Sequence, residues 1–136
     1  SDKNGLSPLY LACQEGHLRC SLALLREGAQ FDYSSTEGGT CLSVASAFGH
    51  VPCVQALLSA GAEVDKMNSS VNFTPLHLAC LGGHKAVAEV LLEAGAAINA
   101  KGGRGGLKGT TTPLGCALEV KCNAVVTLLR SKGAHT

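Results

Sequence analysis

Between Lys85 and Gly95, apolar residues fall at Val87, Val90, Leu91 and Ala94. This is the i, i+3, i+4, i+7 spacing that lays one apolar stripe along a helix. Just upstream, Leu76-His77-Leu78-Ala79-Cys80 predicts a shorter helix, with Thr74-Pro75 before it and Gly83 behind it. Threonine offers an N-cap oxygen, proline suits the first helical position, and glycine lets the backbone leave the helix.

The same order of signals recurs along the chain. Ser7-Pro8-Leu9-Tyr10, Thr40-Cys41-Leu42-Ser43, Thr74-Pro75-Leu76-His77 and Thr112-Pro113-Leu114-Gly115 open four segments, at steps of 33, 34 and 38 residues. Nine residues after each start come Gly16-His17, Gly49-His50 and Gly83-His84, with Lys121-Cys122 in the fourth copy. Twenty-one residues after each start come Gly28-Ala29, Gly61-Ala62, Gly95-Ala96 and Gly133-Ala134. Each copy predicts an inner helix, a tight turn and an outer helix. Pro52 lies near the start of the second outer helix, where proline is tolerated. Polar, turn-rich stretches separate the copies, and no single helix pair can bury its own apolar face. Stacking of neighbours supplies the core.

The fold expected is all-α: a solenoid of four helix-turn-helix repeats over residues 1–136, divided near 3–35, 36–69, 70–107 and 108–136 and joined by hairpin-like loops. The residues resemble the ankyrin repeat, with its period of about 33 and its T-P-L-H-x-A signature. The third copy carries the resemblance furthest, from Thr74-Pro75-Leu76-His77-Leu78-Ala79 through Gly83-His84 to Leu91-Leu92-Glu93-Ala94-Gly95-Ala96. Departures are Cys41 and Ser43 in the second copy, and Gly115 and the lost Gly-His pair in the fourth, whose inner helix is expected to end less cleanly. The third connection, containing Lys101 to Gly109, is the longest and is expected to protrude and move.

The resemblance implies a module that binds a protein or peptide on a concave face built from loop tips and the exposed side of the inner helices. The positions seven and eight residues after each start are the informative ones: Gln14-Glu15, Ala47-Phe48, Leu81-Gly82 and Glu119-Val120. Phe48, Leu81 and Val120 are expected to line up across three copies, an aligned exposed apolar set of the kind that marks an interaction patch. The alternative is that Phe48 folds into the core. Leu6, Tyr33 and Phe73 are further contact candidates, Phe73 equally as a packing residue. Lys101, Arg104 and Lys108 would grip an acidic segment, or simply be solvated. Asn99, with Leu91 eight residues upstream, stands where ankyrin repeats often carry an asparagine that an oxygen-dependent hydroxylase modifies. The alternative is a plain turn asparagine.

Composition narrows the classes. Hydrophobic residues make up 46% and charged residues 15%, with no Trp, so aliphatic residues and Ala must fill the core. The net charge of +1 gives no electrostatic footprint for nucleic acid or an anionic membrane. No apolar run reaches the length of a membrane span. The start is polar, lacks a signal-peptide core and lacks Met, which reads as a fragment of a longer chain. Seven cysteines, an odd number with no C-x-x-C pair, fit reduced buried thiols in the cytoplasm or nucleus.

His77, Cys80 and His84 have helical spacing for a metal, but the repeat pattern accounts for all three, and a zinc site needs four ligands. The glycine-rich connection lacks the lysine–hydroxyl ending of a phosphate loop, since Gly109 follows Lys108. No nucleophile–base–orienter set stands outside the repeat pattern. The expectation is therefore a non-catalytic, monomeric scaffold or adaptor domain without cofactor or metal. The alternative is a regulatory or substrate-recognition segment of a larger protein such as a ubiquitin ligase, another enzyme or a channel.

Overall fold

The computed structural model describes residues 8–28, 40–66, 73–102 and 111–134. Eight helices lie among them, in four pairs: α1 Pro8–Glu15 with α2 Leu18–Arg26, α3 Cys41–Phe48 with α4 Val51–Ser59, α5 Pro75–Leu81 with α6 Lys85–Glu93, and α7 Pro113–Glu119 with α8 Asn123–Ser131. The inner helices α1, α3, α5 and α7 pack in order, and so do the outer helices α2, α4, α6 and α8. The result is two layers of helices.

The core lies between the layers and between neighbouring pairs. Leu9, Leu42, Leu76 and Leu114 recur two residues after each start, and Ala12, Ala45, Ala79 and Ala117 recur five after it. All eight are buried. Alanine at the second position lets inner helices approach closely, while leucine fills the space toward the outer layer. Leu57, Leu91 and Leu129 do the same from the outer helices, fully buried in each case.

The inner helices α3, α5 and α7 each begin with a cap made from local sequence. Thr40 Oγ1 accepts the Ser43 N–H at 3.1 Å, and Ser43 Oγ accepts the Thr40 N–H at 2.8 Å. Serine thus does at this position what His77 does in the third pair. There Nδ1 accepts the Thr74 N–H at 3.2 Å and lies 2.8 Å from Thr74 Oγ1. With Nδ1 accepting, Nε2 carries the proton, and it donates to the Thr111 carbonyl at 2.9 Å, in the next pair. Thr112 Oγ1 caps α7 through the Gly115 N–H at 3.2 Å. Gly115 brings no side chain of its own, and a Cβ there would collide with the Thr111 hydroxyl.

The long third connection is closed at its base. Gly102 and Thr111 exchange two backbone hydrogen bonds of 2.9 and 2.8 Å, the one isolated antiparallel bridge among the described residues. His77 holds the Thr111 end of that bridge.

The turn inside each pair needs one residue with positive φ. Gly16 (75°), Gly49 (78°) and Gly83 (70°) provide it in the first three pairs, and Lys121 (58°) in the fourth. The following N–H then closes the turn alike in all four, His17 to Ala12, His50 to Ala45 and His84 to Ala79 at 2.9 Å, and Cys122 to Ala117 at 3.1 Å. The fourth inner helix therefore ends as cleanly as the others, contrary to the sequence expectation. Lysine adopts the turn conformation in place of glycine, at a cost of about 1–2 kcal/mol for a side chain in that region.

Two predictions follow from these local geometries. Lys121→Gly relieves the strain at the cost of a freer unfolded chain, so a net gain of roughly 1 kcal/mol is expected. A thermal melt reads this as a rise of a few degrees, and an unchanged or lower midpoint refutes the strain. The second concerns His77, which is fully buried. Burial pushes its pKa below the ordinary 6.5, with the Thr111 and Ala100 carbonyls opposing. The unfolded chain therefore takes up a proton first as pH falls. The histidine's contribution is fully present above about pH 6.5 and is lost as pH drops below it toward the folded pKa. Denaturant midpoints of wild type and His77→Ser, compared between about pH 7.5 and pH 5, should show the smaller fall in the variant.

Candidate functional site

The inner helices all end on the same edge of the stack, and their last two residues are set by the turn that follows. Gln14-Glu15, Ala47-Phe48, Leu81-Gly82 and Glu119-Val120 stand there in register. The turn histidines tie this edge together. His50 Nε2 donates to the Gln14 carbonyl at 2.9 Å, and His84 Nε2 to the Ala47 carbonyl at 3.0 Å. Each histidine thereby reaches back to the preceding pair. At the last seam Cys122 takes the histidine's place, with its Sγ 4.0 Å from the Gly83 carbonyl. A thiol is a weak donor, so the polar part of this link is weaker.

These bonds use the carbonyls of Gln14 and Ala47 and leave the next side chains, Glu15 and Phe48, outward, and Val120 is exposed at the same register of the fourth pair. Phe48 is 54% exposed and Val120 is 42% exposed. The Phe48 ring stacks on His50 with centroids 6.3 Å apart and an interplanar angle of 18°, which orients it without burying it. Phe48 is thus a surface residue and not part of the core. Gly82 stands between them in register. A Cβ at Gly82 would sit 2.6 Å from the His84 ring and 3.0 Å from the Ala47 carbonyl.

The sequence expectation of Phe48, Leu81 and Val120 in one row needs correction. Leu81 is one register step earlier than the other two, at the position of Gln14, Ala47 and Glu119. It is half-buried and packs onto the core. The face therefore offers two exposed apolar side chains separated by a glycine, with Leu81 partly exposed beside it. Glu15 and Glu119 are exposed, and Gln14 and Ala47 are half-buried.

Leu118 is 40% exposed and was not among the expected contacts. It stands where the other pairs have the small buried residues Cys13, Ser46 and Cys80. A large apolar residue at an otherwise small position is the signal that the sequence contained. Leu118 lies two residues before Val120 on the same helix and so points to a different side of it, the side where Cys13 and Cys80 meet the following pair.

Phe73 is half-buried against the core and stacks on His77, with centroids 5.2 Å apart. This geometry belongs to the packing alternative. Asn99 is half-buried in a turn and has a polar or electrostatic partner. The register position one pair earlier is Asp65, whose carboxylate accepts the Ala97 N–H at 3.0 Å and so ties one loop to the next. Lys101 is exposed. Leu6, Tyr33, Arg104 and Lys108 lie outside the described residues, as does most of the glycine-rich connection.

The residues with chemical potential are occupied. His77 and His84 hydrogen-bond in opposite directions, to Thr111 and to Ala47. Burial pushes the Cys80 thiol up to about 12, helped by Cys116 and Cys122, and pushes Cys116 to about 11. Burial also raises Cys53, while a hydrogen bond from Cys41 lowers Cys13. Thiols raised this far stay protonated and are poor nucleophiles and metal ligands at neutral pH. Among the described residues no three His, Cys, Asp or Glu side chains are arranged to hold a metal. No helix among them is long and apolar enough to cross a membrane.

A family model for ankyrin repeats matches the chain in three overlapping copies, over residues 1–68, 28–102 and 65–136. A search of curated proteins gave no match to the chain.

Proposed function

Because the chain belongs to the ankyrin-repeat family, whose members are generally protein–protein interaction modules, we propose that it is a non-catalytic scaffold or adaptor domain that holds a protein or peptide partner on the concave face of the inner helices. The observation that carries this reading is the pair of large apolar side chains, Phe48 and Val120, left exposed at the same register of different inner helices. An aromatic residue fixed by stacking loses little further freedom on binding, which favours it as an anchor. The exposed edge of Leu81 adds apolar area, while Glu15 and Glu119 lie at the same helix ends and favour a partner segment that is apolar in the middle and carries cations beside it. The same face would serve if the domain were the regulatory or substrate-recognition part of a larger protein.

Seven cysteines outside any disulfide, five of them buried, fit a reducing compartment, and we place the domain in the cytoplasm or nucleus as a monomer. Asn99 is read as a turn residue.

Two measurements bear on these readings. Partners captured from lysate by the wild-type domain should be lost with Phe48→Ser/Val120→Ser and retained by a Gln55→Ser control on an outer helix. Both concave positions are exposed, so the double variant should keep its helix content by circular dichroism and lose no more than about 1 kcal/mol of stability. Retention of the same partners by a folded double variant overturns the concave-face assignment. For Asn99, mass spectrometry of the peptide from protein expressed in cells should show no added oxygen. A shift of one oxygen makes it a modification site instead.

A further inference from the structure

The three seams between neighbouring pairs are not equivalent. At the first two, a ring nitrogen of the following pair holds a helix-end carbonyl: His50 Nε2 donates to Gln14 and His84 Nε2 to Ala47. Both acceptors stand seven residues after their start, and the same register of α5 is Leu81. The Leu81 carbonyl accepts no hydrogen bond from any described residue. Cys122, which stands where the two histidines do, is shorter, and its Sγ lies 4.0 Å from the Gly83 carbonyl instead. An orphan acceptor at a helix end is ordinarily met by a side chain, water or a ligand.

The space at this seam differs as well. A Cβ on Gly16 or Gly49 would stand 2.6 Å from the ring of His50 or His84. On Gly83 it would meet nothing nearer than the Cys122 sulfur, at 3.4 Å. The thiol fills only part of the volume that an imidazole takes at the other seams. The resulting notch reaches the surface: Gly82 is exposed, and Leu81 and Cys122 are half-buried.

Charge at the notch is contributed by two residues of the fourth pair. Glu119 stands at the register of Leu81 on the neighbouring inner helix and is exposed. Lys121, in the turn, is exposed too, and among the described residues the two form no ion pair with each other. The Glu119 carboxylate is therefore an acceptor open to a ligand, while Lys121 opposes a cation and is not itself engaged.

We propose that the notch at the third seam is a subsite for an arginine side chain of the bound partner, whose guanidinium donates to the Leu81 carbonyl as the histidine rings do at the other seams and pairs with the Glu119 carboxylate. The proposal rests on the concave-face reading and names the cation that this reading leaves general. A guanidinium is flat, as an imidazole is, and its fork of N–H groups serves two acceptors at once. A lysine ammonium is a compact, strongly hydrated point charge without that shape. Gly82, between Phe48 and Val120 in register, raises no side chain across the approach.

The test titrates the ¹⁵N-labelled domain with Nα-acetylarginine amide and follows the amide resonances by NMR. The Gly82 nitrogen shares its peptide bond with the Leu81 carbonyl, so its shift reports a bond formed there. It should move with a dissociation constant on the order of millimolar. The Glu15 and Phe48 amides follow carbonyls that histidines already hold, and should stay in place. Glu119→Gln should weaken the binding roughly threefold. Cys122→His should lay a ring on the open carbonyl, raise the thermal midpoint by a few degrees and abolish the Gly82 response. A stationary Gly82 resonance overturns the proposal. So does an equal response to Nα-acetyllysine amide, or an unchanged midpoint in a folded Cys122→His variant. If lysate partners are lost with Phe48→Ser/Val120→Ser while Gly82 stays silent, the arginine subsite alone fails. If Gly82 responds but the same partners survive that double variant, the concave-face reading fails and the partner's arginine with it.

Discussion

No helix pair in this chain can bury its apolar surface alone, and the rest of the structure answers to that constraint. A seven- to nine-residue helix is too short to be stable by propensity. Its leucine and alanine ladders become a core only when the next pair supplies the other wall. Stability is therefore a sum over neighbours, and polar devices that set the spacing between neighbours matter as much as the apolar area. The histidine-to-carbonyl bonds are those devices. They use a turn residue, which is rigid, to reach a helix-end carbonyl, which would otherwise be an orphan acceptor.

The same economy explains the exposed face. Once the His50 and His84 rings have bound the carbonyls of Gln14 and Ala47, the residue that follows in each inner helix has no packing duty. Phe48 occupies this place with an exposed apolar ring, and Val120 stands exposed at the same register of the fourth pair. Gly82 is held to glycine because the His84 ring stands where its side chain would go. What the face displays to a partner is thus partly dictated by what the seam beneath it needs.

Most of the architecture was legible because its signals are local. Thr-Pro starts, Gly-His turns and Gly-Ala ends specify caps and turns within a few residues, and their recurrence fixes the phase. What escaped is what depends on distant partners. Lysine carries no turn signal, so the clean turn at Lys121 appears only when its backbone is pinned by the Cys122 to Ala117 bond. Leu81 was read as a neighbour of Phe48 and Val120, although its register differs by one, because its burial is decided by packing across the seam. Leu118 escaped because only a comparison of equivalent positions marks it as oversized.

The bridge between Gly102 and Thr111 bears on how such a chain can change over evolutionary time. Its two backbone bonds, with His77 gripping the Thr111 carbonyl, fix where the fourth pair begins irrespective of what is spliced between the bridge's ends. Length there is decoupled from the phase of the stack. Each doubling of the enclosed segment costs only about 0.6 kcal/mol in closure entropy. An insertion at a seam without such a clasp would have to be absorbed by the stacking itself. The third connection is accordingly the place where sequence can be gained, lost or exchanged while the domain keeps its shape.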